Sequence, residues 1–191
     1  MCVCVRVLFR AGGRVESRYY SDLWRYSRLS NTWLQLSAGA AAAQDPAAAP
    51  AHGALGTPSA SVHPGGRAFA CGVADPATGV LYLHGGEVGL AGSPAAMQRR
   101  GDIFAFHPDS GQWEWRGGSN YVDEQYTTSR TSPGGRSHHA CWFHPDQGLL
   151  LVHSGRAVGV GGPSPDDPID DFWSVPRKRR QAQRDGTGRD G

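Results

Sequence analysis

Four short motifs in residues 64–115 decide the fold: P-G-G-R at 64–67, L-Y-L-H-G-G at 81–86, D-I-F-A-F at 102–106 and W-E-W at 113–115. Their landmarks recur downstream in an unbroken register. Residues that lie 69 positions after a residue of the same type include Pro133, Arg136, Pro145, His153, Gly155 and Asp171. Self-similarity at a fixed spacing is the sequence signature of a repeat architecture.

A looser copy precedes this unit. Residues 7–13, V-L-F-R-A-G-G, match residues 80–86 at an offset of 73, whereas Asp22, Trp24 and Trp33 match Asp102, Phe104 and Trp113 at an offset of 80. The difference is expected to lie in a loop, where insertions are tolerated. The chain therefore contains the end of one unit, one whole unit and most of a third.

Composition and charge restrict the class of protein. The 191 residues include 27 glycines and 13 prolines, which favours short strands and many turns. A net charge of +2 gives no reason to expect nucleic acid or a membrane surface as partner. No apolar stretch reaches the roughly 18 residues of a membrane span, and the N-terminus lacks the features of a signal peptide. The compartment stays open, with an intracellular location favoured.

Alternating apolar residues predict strands over residues 3–9, 23–27, 32–36, 69–73, 80–84, 103–106, 112–115, 137–143, 149–153 and 171–175. Compact turns are expected at residues 27–31, 75–79, 107–111 and 144–148. Residues 87–101 and 156–170 are expected to be loops. The Ala- and Pro-rich residues 38–63 are expected to be a flexible low-complexity loop.

Four cysteines occur in the chain. We expect Cys71 and Cys141 to occupy the same strand position in successive units as small buried side chains, and no disulfide framework. Cys2 and Cys4 have neither a zinc spacing nor a redox spacing.

Taken together, the landmarks resemble the Kelch repeat, in which a glycine pair follows an apolar strand, then an aromatic residue (Tyr26, Phe106) and, seven residues later, a tryptophan (Trp33, Trp113). The resemblance, which extends to galactose-oxidase-type propellers, implies an all-β fold: a Kelch-type β-propeller fragment of about two and a half four-stranded antiparallel blades. The repeat positions that carry it are Gly12, Gly13, Asp22, Trp24, Trp33, Arg67, Gly85, Gly86, Asp102, Trp113, Arg136, Gly155, Asp171 and Trp173. Their aromatic members, with Phe104, are expected to pack between blades.

The expected division follows the units. Residues 1–37 form the last three strands of a blade, 38–63 the Ala/Pro-rich loop, 64–116 a full blade, 117–132 an inter-blade loop, 133–175 the first three strands of a blade and 176–191 a basic disordered tail. The tail also has the composition of a nuclear import signal or a nucleic-acid patch, which is the less favoured interpretation. Because propellers need about four to eight blades, closure is expected to require missing blades or self-association.

Function is expected to lie on one face. Turns of a meander alternate between the two ends of the sheet, so the short turns fall at one end and the long connections at the other. Rigid scaffolds commonly bind through long loops of this kind. We therefore expect a protein partner at the long-loop face, and the loop residues available for it are Glu87, Arg99, Arg100, Tyr121, Asp123, Glu124, Tyr126, Arg130, Arg156, Asp166 and Asp167.

Catalysis is not expected. The resemblance to galactose oxidase raises the alternative of a copper oxidase or a carbohydrate-binding propeller, but His138 and His139 are neighbours on a predicted strand and should point to opposite faces. The acidic residues 166–171 lack the spacing of an EF-hand. No phosphate-binding loop or nucleophile elbow occurs. We expect no cofactor, no metal and a non-catalytic interaction module.

Overall fold

The computed structural model describes residues 7–15, 18–37, 49–90, 93–120, 132–157 and 168–176. Within these ranges every regular element is a β-strand, and all strand pairs are antiparallel. The described residues therefore contain no helix that could cross a lipid bilayer. The all-β expectation is confirmed.

Three sheets follow one another along the chain. The first sheet contains β1 (Val7–Val15), β2 (Arg18–Ser27) and β3 (Thr32–Ser37). The second contains β4 (Cys71–Ala74), β5 (Leu81–His84), β8 (Ile103–His107) and β9 (Gln112–Gly117). The third contains β11 (Ala140–His144), β12 (Leu149–His153) and β14 (Phe172–Pro176). Two small ladders, β6 (Glu87–Leu90) with β7 (Ser93–Arg99) and β10 (Arg136–Ser137) with β13 (Arg156–Ala157), complete the described strands.

The segments 87–101 and 156–170 were expected to be loops, and this is wrong where strands form. β6 and β7 pair as a hairpin, and β13 pairs with β10. Glycine, alanine and proline give these segments little strand propensity, but backbone pairing to neighbouring segments overrides it, as in the bridge between Ala68 and Glu87. The glycine pair also does not end β1, which continues to Val15 after a register shift between Ala11 and Gly13.

The described part of the Ala/Pro-rich segment, residues 49–63, is docked rather than free. The Gly56 and Ser59 amides donate to the carbonyls of Trp115 and Trp113 on β9. Val62 is only 3% exposed and belongs to the core between the first and second sheets. The expected flexible loop is thus wrong for these residues, because their backbone pairs with the outer edge of the second sheet and covers it.

The second sheet is covered on both faces. Residues alternate between faces along a strand, so Leu81 and Leu83 of β5 join a cluster with Leu23 of the first sheet, whereas Tyr82 joins a cluster with Val152 of the third. Phe104 and Trp113 are buried as expected, at 0% and 3% exposed. Trp33 is not, since 53% of it is exposed on the outer face of the first sheet.

The connections differ in length at the two ends of the second sheet. The expected turns 75–79, 107–111 and 144–148 are confirmed, and each is closed by a glycine amide that donates to a carbonyl four residues earlier. The β4–β5 and β8–β9 turns lie at one end of the sheet. The connection from β5 to β8, which contains the β6–β7 hairpin, lies at the other, which we call the long-connection end.

A disulfide joins Cys71 of β4 to Cys141 of β11 and corrects the expectation for these cysteines. They are 70 residues apart, one more than the repeat offset, so they are not equivalent positions. Equivalent residues would point the same way around the stack of sheets. Because side chains alternate along a strand, the extra residue turns Cys141 back towards the second sheet, where it meets Cys71.

Candidate functional site

The repeated arginine and aspartate form a buried ion pair in the second sheet. Arg67 Nη1 donates to Asp102 Oδ1 at 2.6 Å and to the Gly85 carbonyl at 2.9 Å, and Nε donates to the Pro64 carbonyl at 3.1 Å. Arg67 is 1% exposed and Asp102 is 0% exposed. A buried charge pair of this kind is tolerated because the remaining donors and acceptors are also bonded.

The third unit repeats this arrangement atom for atom. Arg136 Nη1 donates to Asp171 Oδ1 at 2.7 Å and to the Ser154 carbonyl at 3.0 Å, and Nε donates to the Pro133 carbonyl at 2.9 Å. The ion pair therefore explains why proline, arginine and aspartate recur at a spacing of 69. Each pair fixes the beginning of a unit to an aspartate 35 residues later, which immediately precedes the third strand of that unit's sheet.

The same arginines link adjacent units through their backbone. At the first junction the Gly13 amide donates to the Arg67 carbonyl at 2.9 Å, and the Arg67 amide donates to the Tyr20 carbonyl at 3.1 Å. At the second junction the Gly86 amide donates to the Arg136 carbonyl at 2.8 Å, and the Arg136 amide donates to the Arg100 carbonyl at 3.0 Å. The preceding glycines make room for this approach. A Cβ on Gly85, whose φ is +67°, would lie 2.5 Å from the Arg136 oxygen.

Asp102 also contacts a histidine, His52, that the repeat pattern does not predict. In the first and third units the indole of Trp24 or Trp173, two residues after the aspartate, donates to Asp22 or Asp171. Phe104 replaces the tryptophan in the second unit, and His52 Nε2 instead lies 3.1 Å from Asp102 Oδ2. Burial opposes ionisation of Asp102, but the charge of Arg67 and the hydrogen bonds of His52 and Arg67 hold its pKa below the usual range.

A polar and aromatic cluster lies beyond these structural bonds, where the long-connection end meets the beginning of β11. Glu87 Oε1 accepts from Ser137 Oγ at 2.7 Å, and Arg99 Nε lies 3.2 Å from the same hydroxyl. His138 Nδ1 lies 3.2 Å from Ser137 Oγ and 3.6 Å from Glu87 Oε1. Its ring stacks on Phe69, with ring centroids 4.0 Å apart. We call these five residues the Phe69–His138 patch.

The backbone of the two stacked residues is unusual. Phe69 and His138 are repeat equivalents, 69 positions apart, and both have φ of +55°. The His138 amide donates to the Phe69 carbonyl at 3.1 Å. Bulky residues adopt this left-handed conformation at a cost of about 1–3 kcal/mol, and such strain is concentrated at functional sites. Phe69 is 50% exposed, so the strained backbone presents an aromatic ring to solvent.

Behind the patch, two buried histidines contact each other between the second and third units. His84 Nδ1 and His139 Nε2 are 2.9 Å apart. Burial, with the neighbouring His139 and Arg136, lowers the pKa of His84 well below its usual value. Burial and Arg136 lower the pKa of His139 to about 3. Both rings are therefore neutral at pH 7. The described residues contain no group of three or more His, Cys, Asp or Glu side chains placed to hold a metal.

The loop residues expected to bind a partner differ in their burial and contacts. Glu87 and Arg99 are 2% and 5% exposed and belong to the buried part of the patch. Arg100 is half-buried and donates to the Asn120 carbonyl at 3.4 Å, and Arg156 is exposed on β13. The remaining expected residues, Tyr121, Asp123, Glu124, Tyr126, Arg130, Asp166 and Asp167, lie outside the described residues.

Sequence reasoning missed Phe69, Ser137 and His138. The sequence could have indicated them only by their position, since they lie one or two residues after the recurring arginines. Alternation alone placed Phe69 and His138 within strands. In the structure they instead precede β4 and β11, where the left-handed backbone interrupts alternation.

Comparison with known proteins shows the fold only. No family model and no curated protein matches the chain. Among solved structures the chain is similar to the one titled "Structure of YjhT", with a TM-score of 0.55 and 13% sequence identity over 91% of this chain. The match spans 40% of the length of that protein.

Proposed function

We propose that the chain is part of a Kelch-type β-propeller whose sheets are successive blades, and that it is a non-catalytic interaction module that binds a protein partner at the Phe69–His138 patch. The propeller part is supported by the recurring landmarks and the face-to-face stacking of the sheets. The binding part is carried by the exposed stacked ring pair on strained backbone.

The chemistry of the patch suits recognition better than catalysis. Ser137 and Glu87 are 0% and 2% exposed, so neither presents a nucleophile or base to a substrate. Their hydrogen bond instead holds the segment that carries His138. Aromatic side chains give a large contact area for a small loss of conformational entropy, which is why they are enriched in binding interfaces.

A second candidate function, carbohydrate binding by an enzyme-associated propeller, is favoured by one observation. An exposed aromatic ring such as Phe69 can pack against the apolar face of a sugar ring. The Glu87 carboxylate is only 2% exposed and its Oε1 already accepts a hydrogen bond from the Ser137 hydroxyl, so Phe69 is the residue of the patch that would contact a sugar.

One pair of screens separates the candidates. The whole chain is exposed to a phage-displayed peptide library and to a glycan microarray, together with the double variant Phe69→Ala/His138→Ala. Leu29→Ala, in the turn at the opposite end of a sheet, is the matched control, since Leu29 is 80% exposed.

We expect peptides that bind the wild type and Leu29→Ala at least tenfold more strongly than the double variant. Glycans with the same dependence would replace the protein partner with a carbohydrate. Ligands that bind all three proteins equally would overturn the assignment of the patch.

A further inference from the structure

The first and third sheets each have one face that no other sheet covers. Each of these faces resembles one side of the contacts that the second sheet makes with its neighbours. Phe106 and Trp113 of the second sheet have ring centroids 5.1 Å apart and are buried against the first sheet. Their equivalents at the offset of 80, Tyr26 and Trp33, also have centroids 5.1 Å apart. These two lie on the outer face of the first sheet, where Trp33 is 53% exposed.

The outer face of the third sheet corresponds to the face of the second sheet that the third sheet covers. Tyr82 and Ile103 of the second sheet are 6% and 4% exposed because the third sheet covers them. The residue equivalent to Ile103 at the offset of 69 is Phe172, which is 57% exposed. Phe172 packs against Trp142, itself 42% exposed, with ring centroids 5.3 Å apart. This face is therefore built to be covered by a following sheet.

We propose that a second copy of this chain covers these faces, with the first sheet of each copy packed on the third sheet of the other. Such a head-to-tail contact closes into a ring only if its rotation fits, and otherwise yields open filaments. If each sheet is a blade, as in the proposed function on which this inference rests, the three large sheets described in each of two copies make six blades, within the four to eight of closed propellers. Three copies would supply nine.

The contact proposed between copies is argued from the packing of sheet faces. It is a non-covalent association of two chains, so mass action makes its population depend on concentration. We therefore expect the dimer to dissociate on dilution.

Light scattering after size-exclusion chromatography of the whole chain tests the proposal. We expect a mass near twice 20.4 kDa at high concentration and a shift towards the monomer on dilution. Trp33→Glu and Trp142→Glu should each give a monomer, since a charge is then placed on one half of the contact. Leu29→Glu, at an apolar turn position that is more exposed than either tryptophan, should remain dimeric.

Mixing the two variants gives the sharpest result. A heterodimer of Trp33→Glu and Trp142→Glu chains combines both substitutions in one contact and leaves the other contact wild type. The mixture should therefore associate at concentrations where each variant alone is monomeric. Phe172→Ser replaces Trp142→Glu if circular dichroism shows that the latter fails to fold.

Three outcomes overturn the proposal. The first is a 20.4 kDa monomer at every concentration. The second is a dimer that tolerates Trp33→Glu, which would place the third sheets against each other. The third is the absence of rescue in the mixture. None of these outcomes bears on ligand binding at the Phe69–His138 patch, so the two proposals can fail separately.

Discussion

Each buried arginine combines two tasks in one residue. The guanidinium of Arg67 binds Asp102 and two carbonyls within its own unit, while its backbone amide and carbonyl bind the preceding unit. The sequence reveals that arginine and aspartate recur together but not that they touch, because the two residues are 35 positions apart and meet only when the chain between them folds. The His52 contact with Asp102 has no counterpart in the repeat and could not have been predicted.

Arg67→Ala should lower the free energy of unfolding by about 3–5 kcal/mol, because it leaves the Asp102 carboxylate buried without its partner. Arg67→Lys should recover only part of this, since an ammonium group cannot reproduce the planar set of donors. Urea unfolding measures both. Arg28→Ala, in an exposed turn, is the control and should change stability by less than about 0.5 kcal/mol. A loss below about 1 kcal/mol for Arg67→Ala would contradict the structural role.

At the scale of elements, alternation predicted the central strands well because their two faces are buried against different neighbours. Leu81–His84 and Ile103–His107 fall within one residue of the expected bounds. The β6–β7 hairpin was missed because its glycine, alanine and proline residues give it little strand propensity. The patch was missed for the same kind of reason, since a left-handed φ at Phe69 leaves no pattern in the sequence.

The link between β4 and β11 also belongs to this scale. Replacing Cys71 and Cys141 together by serine should lower the free energy of unfolding by about 2–4 kcal/mol, because the unfolded chain loses a constraint that closes a long loop. Thermal unfolding with and without reductant measures the effect. Reductant should lower the midpoint of the wild type and leave the double variant unchanged. Equal midpoints for the wild type under both conditions would show that the bond is absent or without effect.

For the whole molecule, acid should weaken the packing of the second unit on the third. His84 and His139 stay neutral in the fold, whereas histidines of the unfolded chain bind protons near pH 6.5. As the pH falls below that value the unfolded state gains protons and the folded state does not. Stability then falls by about 1.4 kcal/mol per pH unit for each histidine, until His139 titrates near pH 3. The pKa of Asp102 is held lower still, so its contribution is lost only below about pH 4.

Urea unfolding at a series of pH values between 7 and 5 tests this dependence. His139→Gln should make the fall in stability per pH unit smaller, because one of the two buried histidines is then absent. Stability that does not change between pH 7 and 5 would mean that the two buried rings accept protons in the folded state.

The one-residue displacement of Cys141 has a consequence for how such a chain could have grown. Duplication of a unit copies the arginine, the aspartate and the glycines, and with them every contact that one unit makes to the next. It cannot copy this disulfide, because two descendants of one cysteine would face in the same direction around the stack. The cross-link therefore needs cysteines at two different positions of the repeating unit, one in each of the two sheets that it joins.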